Sequence, residues 1–351
     1  MLNFNFLILI FISFIISLIL TLGIIRLCWK YSLLDYPGRH KRHKKPTPIL
    51  GGTAILAAVW ISLLLYILFV EDGLDDLFPA LPNILAGSLL IYLVGLVDDL
   101  KPLSAWLKLA IQTLAGLVLF FGGLSVEFIS VPIYGSVPVG GFAVLITVVW
   151  VIALSNAMNL IDGLDGLATG VSVIASITLA IIGLLFQVEG VVVFSLALFG
   201  ALLAFWIYNR YPARIFLGDS GSLLIGYFFA VISLVFPIKS FATAALFMPL
   251  VVLGVPLIEA VSSFFRRLAA GKNVMKADRR HIFHYLAYAG LNQRQIVALF
   301  YLTGLFFGFI SLAMILFSRV MVLTFLILFM VVIFIIYFIL ISRMKKDNAA
   351  G

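Results

Sequence analysis

Charge is scarce in this chain and cysteine nearly absent. Only 11% of its 351 residues are Asp, Glu, Lys or Arg and 64% are hydrophobic, against about 25% charged and roughly 45–50% apolar in soluble domains. A soluble fold is excluded. The single cysteine, Cys28, rules out an internal disulfide, and its neighbours Arg26 and Lys30 give it an ordinary structural reading. Internal repeats and low-complexity linkers are also missing, which argues for a single polytopic domain over residues 1–351. At this hydrophobicity an outer-membrane barrel, whose strands alternate polar and apolar residues, does not fit. The sequence predicts an all-α integral membrane protein.

Long apolar runs are what the chain does have. A spanning helix needs about 20 mainly apolar residues, and runs of that kind fall near 4–25, 49–70, 81–97, 105–122, 142–158, 168–187, 190–208, 222–237, 241–264, 295–318 and 320–342. That predicts eleven transmembrane helices. The first run has neither a basic n-region nor a small-residue cleavage site, so it is expected to stay in the membrane. Between 126 and 142, alternating apolar residues with Pro132, Gly135, Pro138 and Gly140 predict a short β-hairpin, the one strand feature expected.

Eleven spans put the termini on opposite sides. With the C-terminus cytoplasmic and the N-terminus outside, all of the 23 Lys and Arg except Lys239 and Arg319 face the cytoplasm, in loops 26–48, 98–104, 209–221 and 265–294, at Lys108 in the start of the fourth span and at the C-terminus; the remaining cytoplasmic loop, 159–167, carries none. Positive residues favour the inside. The net charge of +8 is therefore a topology signal, and no nucleic-acid partner is expected. The natural location is a plasma (inner) membrane, with the bilayer itself as a partner.

Most of the carboxylates lie at span ends, leaving span middles bare, unlike transporters and flippases, which keep ionisable groups near the midplane. Asp98 and Asp99 end the third span, where mutual repulsion and the helix dipole both oppose them. A metal ion or a cation such as Lys101 or Lys108 would relieve this; the plainer alternative is a solvated helix end, with Lys108 snorkelling. Asn156, Asn159, Asp162 and Asp165 recur every third residue in SNAMNLIDGLDGLATG, a spacing that drifts round a helix. Gly163 and Gly166 allow a break after Asn159, and the oxygen ligands suit Mg²⁺, with Mn²⁺ as the alternative.

Further along, FLGDSGSLLIG has the form of a helix start, with Asp219 and Ser220 as caps and free N–H groups able to take a phosphate. Phe216 has core, lipid-facing and base-stacking readings. The basic loop 265–294 carries Arg279, Arg280, His281 and His284; without cysteine this is a poor zinc site and a better phosphate site, or else a lipid-bound surface helix. His43 sits in HKRHKKPTPILGG, another basic run. Hard-cation ligands, a phosphate-friendly helix start and basic loops on one membrane face suit phosphoryl transfer to a lipid.

VDDL at 97–100, NAMNLIDGLDGLA at 156–168, FLGDSGSLLIG at 216–226, VPLIE at 255–259 and DRRHIFHYL at 278–286 come in the order seen in the polyprenyl-phosphate sugar-1-phosphate transferases, which the chain resembles from about 35 to 300. Within that family it is more similar to the N-acetylglucosaminyl-1-phosphate branch than to the muramoyl-pentapeptide branch, whose adjacent histidines it lacks. The resemblance implies that undecaprenyl phosphate attacks a UDP-N-acetylhexosamine and releases UMP, with Mg²⁺ on the diphosphate. It implies Asn159 and Asp219 as metal ligands, Lys108 on phosphate, and Phe216 and Asp165 on uracil. Asp98 would hold or deprotonate the lipid phosphate, supported by Asp99 and Asp162. Asn156, His43, Arg279, Arg280, His281 and His284 complete the expected substrate contacts, and dimeric relatives make a homodimer an expectation. Glu259 stands where the family commonly has Asp, and Phe283 where it has His. The alternatives are a muramoyl-pentapeptide substrate and, in another class, a transporter or flippase.

Overall fold

The computed structural model describes residues 4–37, 45–70, 78–131, 135–236, 252–269 and 282–317, together with Thr324. Among these, eight helices are long and apolar enough to cross a membrane. They are α1 (Phe4–Lys30), α2 (Gly51–Phe69), α3 (Leu81–Leu100), α5 (Ala143–Ile161), α6 (Leu167–Phe186), α7 (Glu189–Asn209), α8 (Gly218–Val235) and α11 (Gln293–Leu316). The protein is a multi-pass helical membrane protein. A shorter apolar helix, α4 (Ala105–Phe121), occupies another expected span. Of the run at 241–264, residues 252–264 are described, all but the first two of them in α9 (Gly254–Ala269), and the last run, 320–342, lies outside the described residues apart from Thr324. A short helix, α10 (Ile282–Tyr288), precedes α11.

Local chemistry sets the helix starts near the site. Ser104 caps α4 by accepting the Leu107 N–H, and Asn292 with Gln295 forms a reciprocal capping box on α11. The helix α8 is central: every residue from Ser220 to Val235 is buried, and α3 and α5 pack on it. Close approach depends on small residues, as it commonly does between membrane helices. A Cβ at Gly95 of α3 would fall 2.5 Å from the Ser220 nitrogen, so the last turn of α3 rests on the first turn of α8.

The hairpin appears where the sequence places it, as β3 (Phe128–Val131) and β4 (Gly135–Pro138), antiparallel with Phe128 opposite Pro138. It is not the only strand feature. A second antiparallel pair joins β1 (Leu34–Asp35) to β2 (Thr47–Pro48); strands of two residues leave no periodicity to read. Beyond β2, the Phe216 N–H donates to the Pro48 carbonyl at 2.8 Å and the Gly51 N–H to the Phe216 carbonyl at 3.2 Å. The loop before α8 is thereby stitched to the start of α2.

Candidate active site

Four helix ends meet at one point: the C-termini of α3 and α5 and the N-termini of α4 and α8. The Lys108 ammonium lies between two carboxylates, 3.0 Å from Asp98 Oδ2 and 3.0 Å from Asp219 Oδ2. Asp98 Oδ1 accepts the Leu103 N–H at 2.7 Å, which fixes its other oxygen toward Lys108. Asp219 Oδ1 accepts Asn159 Nδ2 at 2.9 Å, and the same amide nitrogen donates to Ser222 Oγ at 2.9 Å. An ionised carboxylate only accepts, so the amide nitrogen of Asn159 must face Asp219, leaving its carbonyl oxygen for another partner.

Asp99 points elsewhere. Its Oδ1 accepts the Asp219 N–H at 2.7 Å and its Oδ2 accepts the Ser220 N–H at 3.1 Å and the Ser220 hydroxyl at 2.7 Å. The residue preceding α8, Leu217, supplies no side-chain cap, so the cap comes from another helix. The phosphate site expected at this helix start is filled by a carboxylate of the protein itself, because the dipole end that would attract phosphate attracts Asp99 first.

Asp98, Asp99, Asn159 and Asp219 border a cavity of about 570 Å³ whose lining also includes Asp162, Asp165, Phe216 and His284. Lys108 is not in that lining; it stands behind it, bonded to Asp98 and Asp219. Phe283 and Asp35 also line it. The break in the asparagine-aspartate motif comes at Ile161 rather than after Asn159. Asn156 and Asn159 therefore ride on α5, and Asp162 and Asp165 lie in the turn that follows. Enclosure in the protein pushes the Asp162 carboxyl well above the usual range, and the charges of Asp219, Asp99 and Asp165 push it further. Asp165 Oδ2 accepts the Ala213 N–H at 3.0 Å, tying this turn to the loop that carries Phe216.

The structure does not bring Asn156 into the lining. Its amide nitrogen donates to Gln112 Oε1 at 2.8 Å and to the Ile152 carbonyl at 2.7 Å, one turn deeper between α4 and α5. His43, Arg279, Arg280 and His281 lie outside the described residues. Glu259 is buried, and its Oε2 accepts the Ile282 N–H at 3.2 Å, so the carboxylate holds the start of α10. Phe283 is buried as well, with its ring over Gly163. Sequence reasoning passed over Asp35 and Gln112 as site neighbours; a lone carboxylate in a loop and a lone amide in a span carry no local signal of what they face.

Among the described residues no three or more His, Cys, Asp or Glu side chains are arranged to hold a metal ion by themselves. Magnesium seldom asks for that: it commonly takes one or two carboxylates and completes its shell with water and substrate phosphates. Asp219 and the Asn159 carbonyl oxygen are donors of that type, and the crowding of Asp98, Asp99, Asp162, Asp165 and Asp219 about one cavity leaves negative charge that a divalent cation would balance.

Carboxylates at helix ends around a cavity, with a lysine bonded to two of them, are the kind of polar cluster that phosphate chemistry uses. The model of glycosyl transferase family 4 matches residues 81–237, the stretch from α3 to the end of α8. The chain is 34% identical over 302 residues to the probable undecaprenyl-phosphate N-acetylglucosaminyl 1-phosphate transferase of Bacillus subtilis (strain 168), covering 85% of this chain and 82% of that protein. It is 33% identical over 270 residues to the undecaprenyl-phosphate alpha-N-acetylglucosaminyl 1-phosphate transferase of Thermotoga maritima, covering 77% and 78%. A phospho-N-acetylmuramoyl-pentapeptide-transferase of Staphylococcus carnosus is 28% identical over 328 residues, covering 86% and 96%. The chain belongs to glycosyl transferase family 4, the polyprenyl-phosphate sugar-1-phosphate transferases.

Proposed function

We propose that the protein transfers N-acetylhexosamine 1-phosphate, with N-acetylglucosamine as the sugar, from a UDP-sugar to undecaprenyl phosphate. A lipid phosphate oxygen attacks the sugar-bearing phosphorus, the bond to the uridine-bearing phosphate breaks, and UMP leaves. The product is a lipid-linked diphosphosugar, the first intermediate of a cell-envelope polysaccharide. The observation that carries this reading is the Lys108 ammonium held between Asp98 and Asp219, with Asn159 on the second oxygen of Asp219. It is a polar cluster at helix ends, where an acceptor anchored in the bilayer and a water-soluble donor can meet.

Catalysis of phosphoryl transfer is largely positioning and charge neutralisation. Lys108 neutralises phosphate charge: of the three N–H donors of its ammonium, two go to Asp98 and Asp219 and the third is left for a phosphate oxygen. Asp98, fixed by Leu103, orients Lys108 and the incoming lipid phosphate. That phosphate is already mostly ionised near pH 7, so Asp98 need not remove a proton. Phe216 stacks on the uracil and Asp165 hydrogen-bonds it, both set by the loop bonds to Pro48 and Ala213. Asn159 and Asp219 would hold Mg²⁺, which when bound withdraws charge from the diphosphate.

The reading includes eleven spans with the N-terminus outside, the C-terminus cytoplasmic and the cavity opening to the cytoplasm of a plasma membrane. The lopsided Lys and Arg distribution supports it. The test is purified protein with undecaprenyl phosphate and a panel of UDP-sugars, including UDP-N-acetylmuramoyl-pentapeptide, with UMP measured. UMP release with UDP-N-acetylglucosamine is expected. Release with the muramoyl donor alone would place the protein in the other branch, and lipid or solute movement without UMP would end the transferase reading.

A further inference from the structure

The turn between α5 and α6 carries two of the cavity carboxylates, and it is held from a part of the chain that contributes none of the acidic motifs. Tyr301, on the third turn of α11, donates its hydroxyl hydrogen to the carbonyl of Gly166. The same hydroxyl accepts the indole N–H of Trp206, on α7, at 2.8 Å. That carbonyl already accepts the first α6 bond, from the Gly170 N–H at 2.9 Å, so Tyr301 takes its second lone pair. Gly166 follows Asp165 directly and has φ +75°, a conformation that favours glycine. One turn on, a Cβ at Gly170 would overlap the Tyr301 ring.

The other end of the turn is held likewise. A Cβ at Gly163, next to Asp162, would overlap the Phe283 ring of α10. Gly163 thus abuts Phe283 and Gly170 abuts Tyr301, so an aromatic side chain from the C-terminal segment lies at either end of the turn. Tyr301 is not part of the cavity lining; its hydrogen bond to Gly166 is its direct link to the turn that carries Asp162 and Asp165.

We propose that Tyr301 is a positioning residue for the nucleotide end of the site: its hydroxyl fixes Gly166, and through it Asp165 against the loop of Ala213 and Phe216. The inference rests on the transfer reading above and deepens it, because it assigns the grip on the sugar nucleotide to a helix outside the family's acidic motifs. Losing the hydroxyl should loosen Asp165 while leaving Asp98 and Lys108, on α3 and α4, in place. Donor binding should suffer and acceptor binding should not.

The experiment is steady-state kinetics on the full-length protein with wild type, Tyr301→Phe, Trp206→Phe and the double variant. Tyr301→Phe keeps the ring that packs on Gly170. The double variant also removes the indole N–H that Tyr301→Phe would strand, so it separates lost positioning from a buried unpaired donor. Both variants lacking the hydroxyl should raise KM for the UDP-sugar about two- to tenfold, the span of one neutral hydrogen bond. KM for undecaprenyl phosphate should stay within about twofold and Trp206→Phe alone should be near wild type. An unchanged donor KM in Tyr301→Phe, or equal rises in both KM values, would overturn the assignment while the transfer reading stood. No UMP release by wild type would remove the transfer reading, and this role with it.

Discussion

Asp99 caps the helix that Asp219 opens, its Oδ1 accepting the Asp219 N–H at 2.7 Å. The adjacent pair at the end of α3 thus divides its work. Asp98 faces Lys108, while Asp99 spends both oxygens on the backbone and hydroxyl of the first turn of α8. Since α8 is the buried centre of the bundle, the orientation of Asp219 depends on Asp99 without Asp99 needing to touch a substrate.

The two should therefore fail differently. Asp99→Ala strands the Asp219 and Ser220 N–H groups and the Ser220 hydroxyl, and an unsatisfied buried polar group costs about 1–3 kcal/mol. Its melting temperature in detergent should fall clearly, with activity lost as a consequence. Asp98→Asn should keep the melting temperature near wild type and lower turnover. Equal melting temperatures for the two variants would contradict the division.

Phe216 forms part of the cavity wall, and its backbone is pinned on both sides by Pro48 and Gly51. A stacked base is worth about 1–3 kcal/mol, so Phe216→Ala should raise KM for the UDP-sugar roughly 5- to 150-fold. Phe216→Tyr should change it little. An unaltered KM in the alanine variant would mean that the base lies elsewhere.

Asp162 gives the site a pH signature. Its carboxyl titrates well above the usual range in the folded protein, through desolvation first and then the charges of Asp219, Asp99 and Asp165, whereas in the unfolded chain it ionises near pH 4. A carboxyl raised on folding contributes stability that is complete below its unfolded pKa and is lost as pH rises through the folded value. In EDTA, melting temperature should decline as pH rises above about 4, the unfolded value of the carboxyl. Asp162→Asn should flatten that decline. A wild-type slope unchanged by the substitution would show that Asp162 does not feel its acidic neighbours.

Much of this was legible in the sequence, and unevenly so. Spans such as Gly51–Phe69 and Leu167–Phe186 follow from hydrophobic length alone, and the hairpin at 128–138 from its proline and glycine punctuation. The acidic motifs pointed to Asp98, Asn159, Asp162, Asp165 and Asp219, because polar side chains stand out in an apolar chain. Partnerships were not legible. Nothing local tells that Asp99 caps a helix 120 residues away, that Asn156 turns to Gln112, or that Tyr301 meets Gly166. Two-residue strands are equally silent, since Leu34–Asp35 acquires strand character only through Thr47–Pro48.

In the proposed reaction a sugar phosphate moves onto a lipid phosphate at the Lys108, Asp98 and Asp219 cluster. The most direct measurement is the fate of label from UDP-N-acetylglucosamine carrying radioactive phosphorus at the sugar-bearing phosphate, incubated with undecaprenyl phosphate, Mg²⁺ and either wild type or Asp219→Ala. With wild type the label should pass into the organic-soluble lipid while unlabelled UMP appears in equal amount, and EDTA should stop both. Asp219→Ala, still folded by its melting temperature, should transfer almost none. Label remaining in water-soluble nucleotide with wild type, or near-normal transfer by Asp219→Ala, would contradict the account.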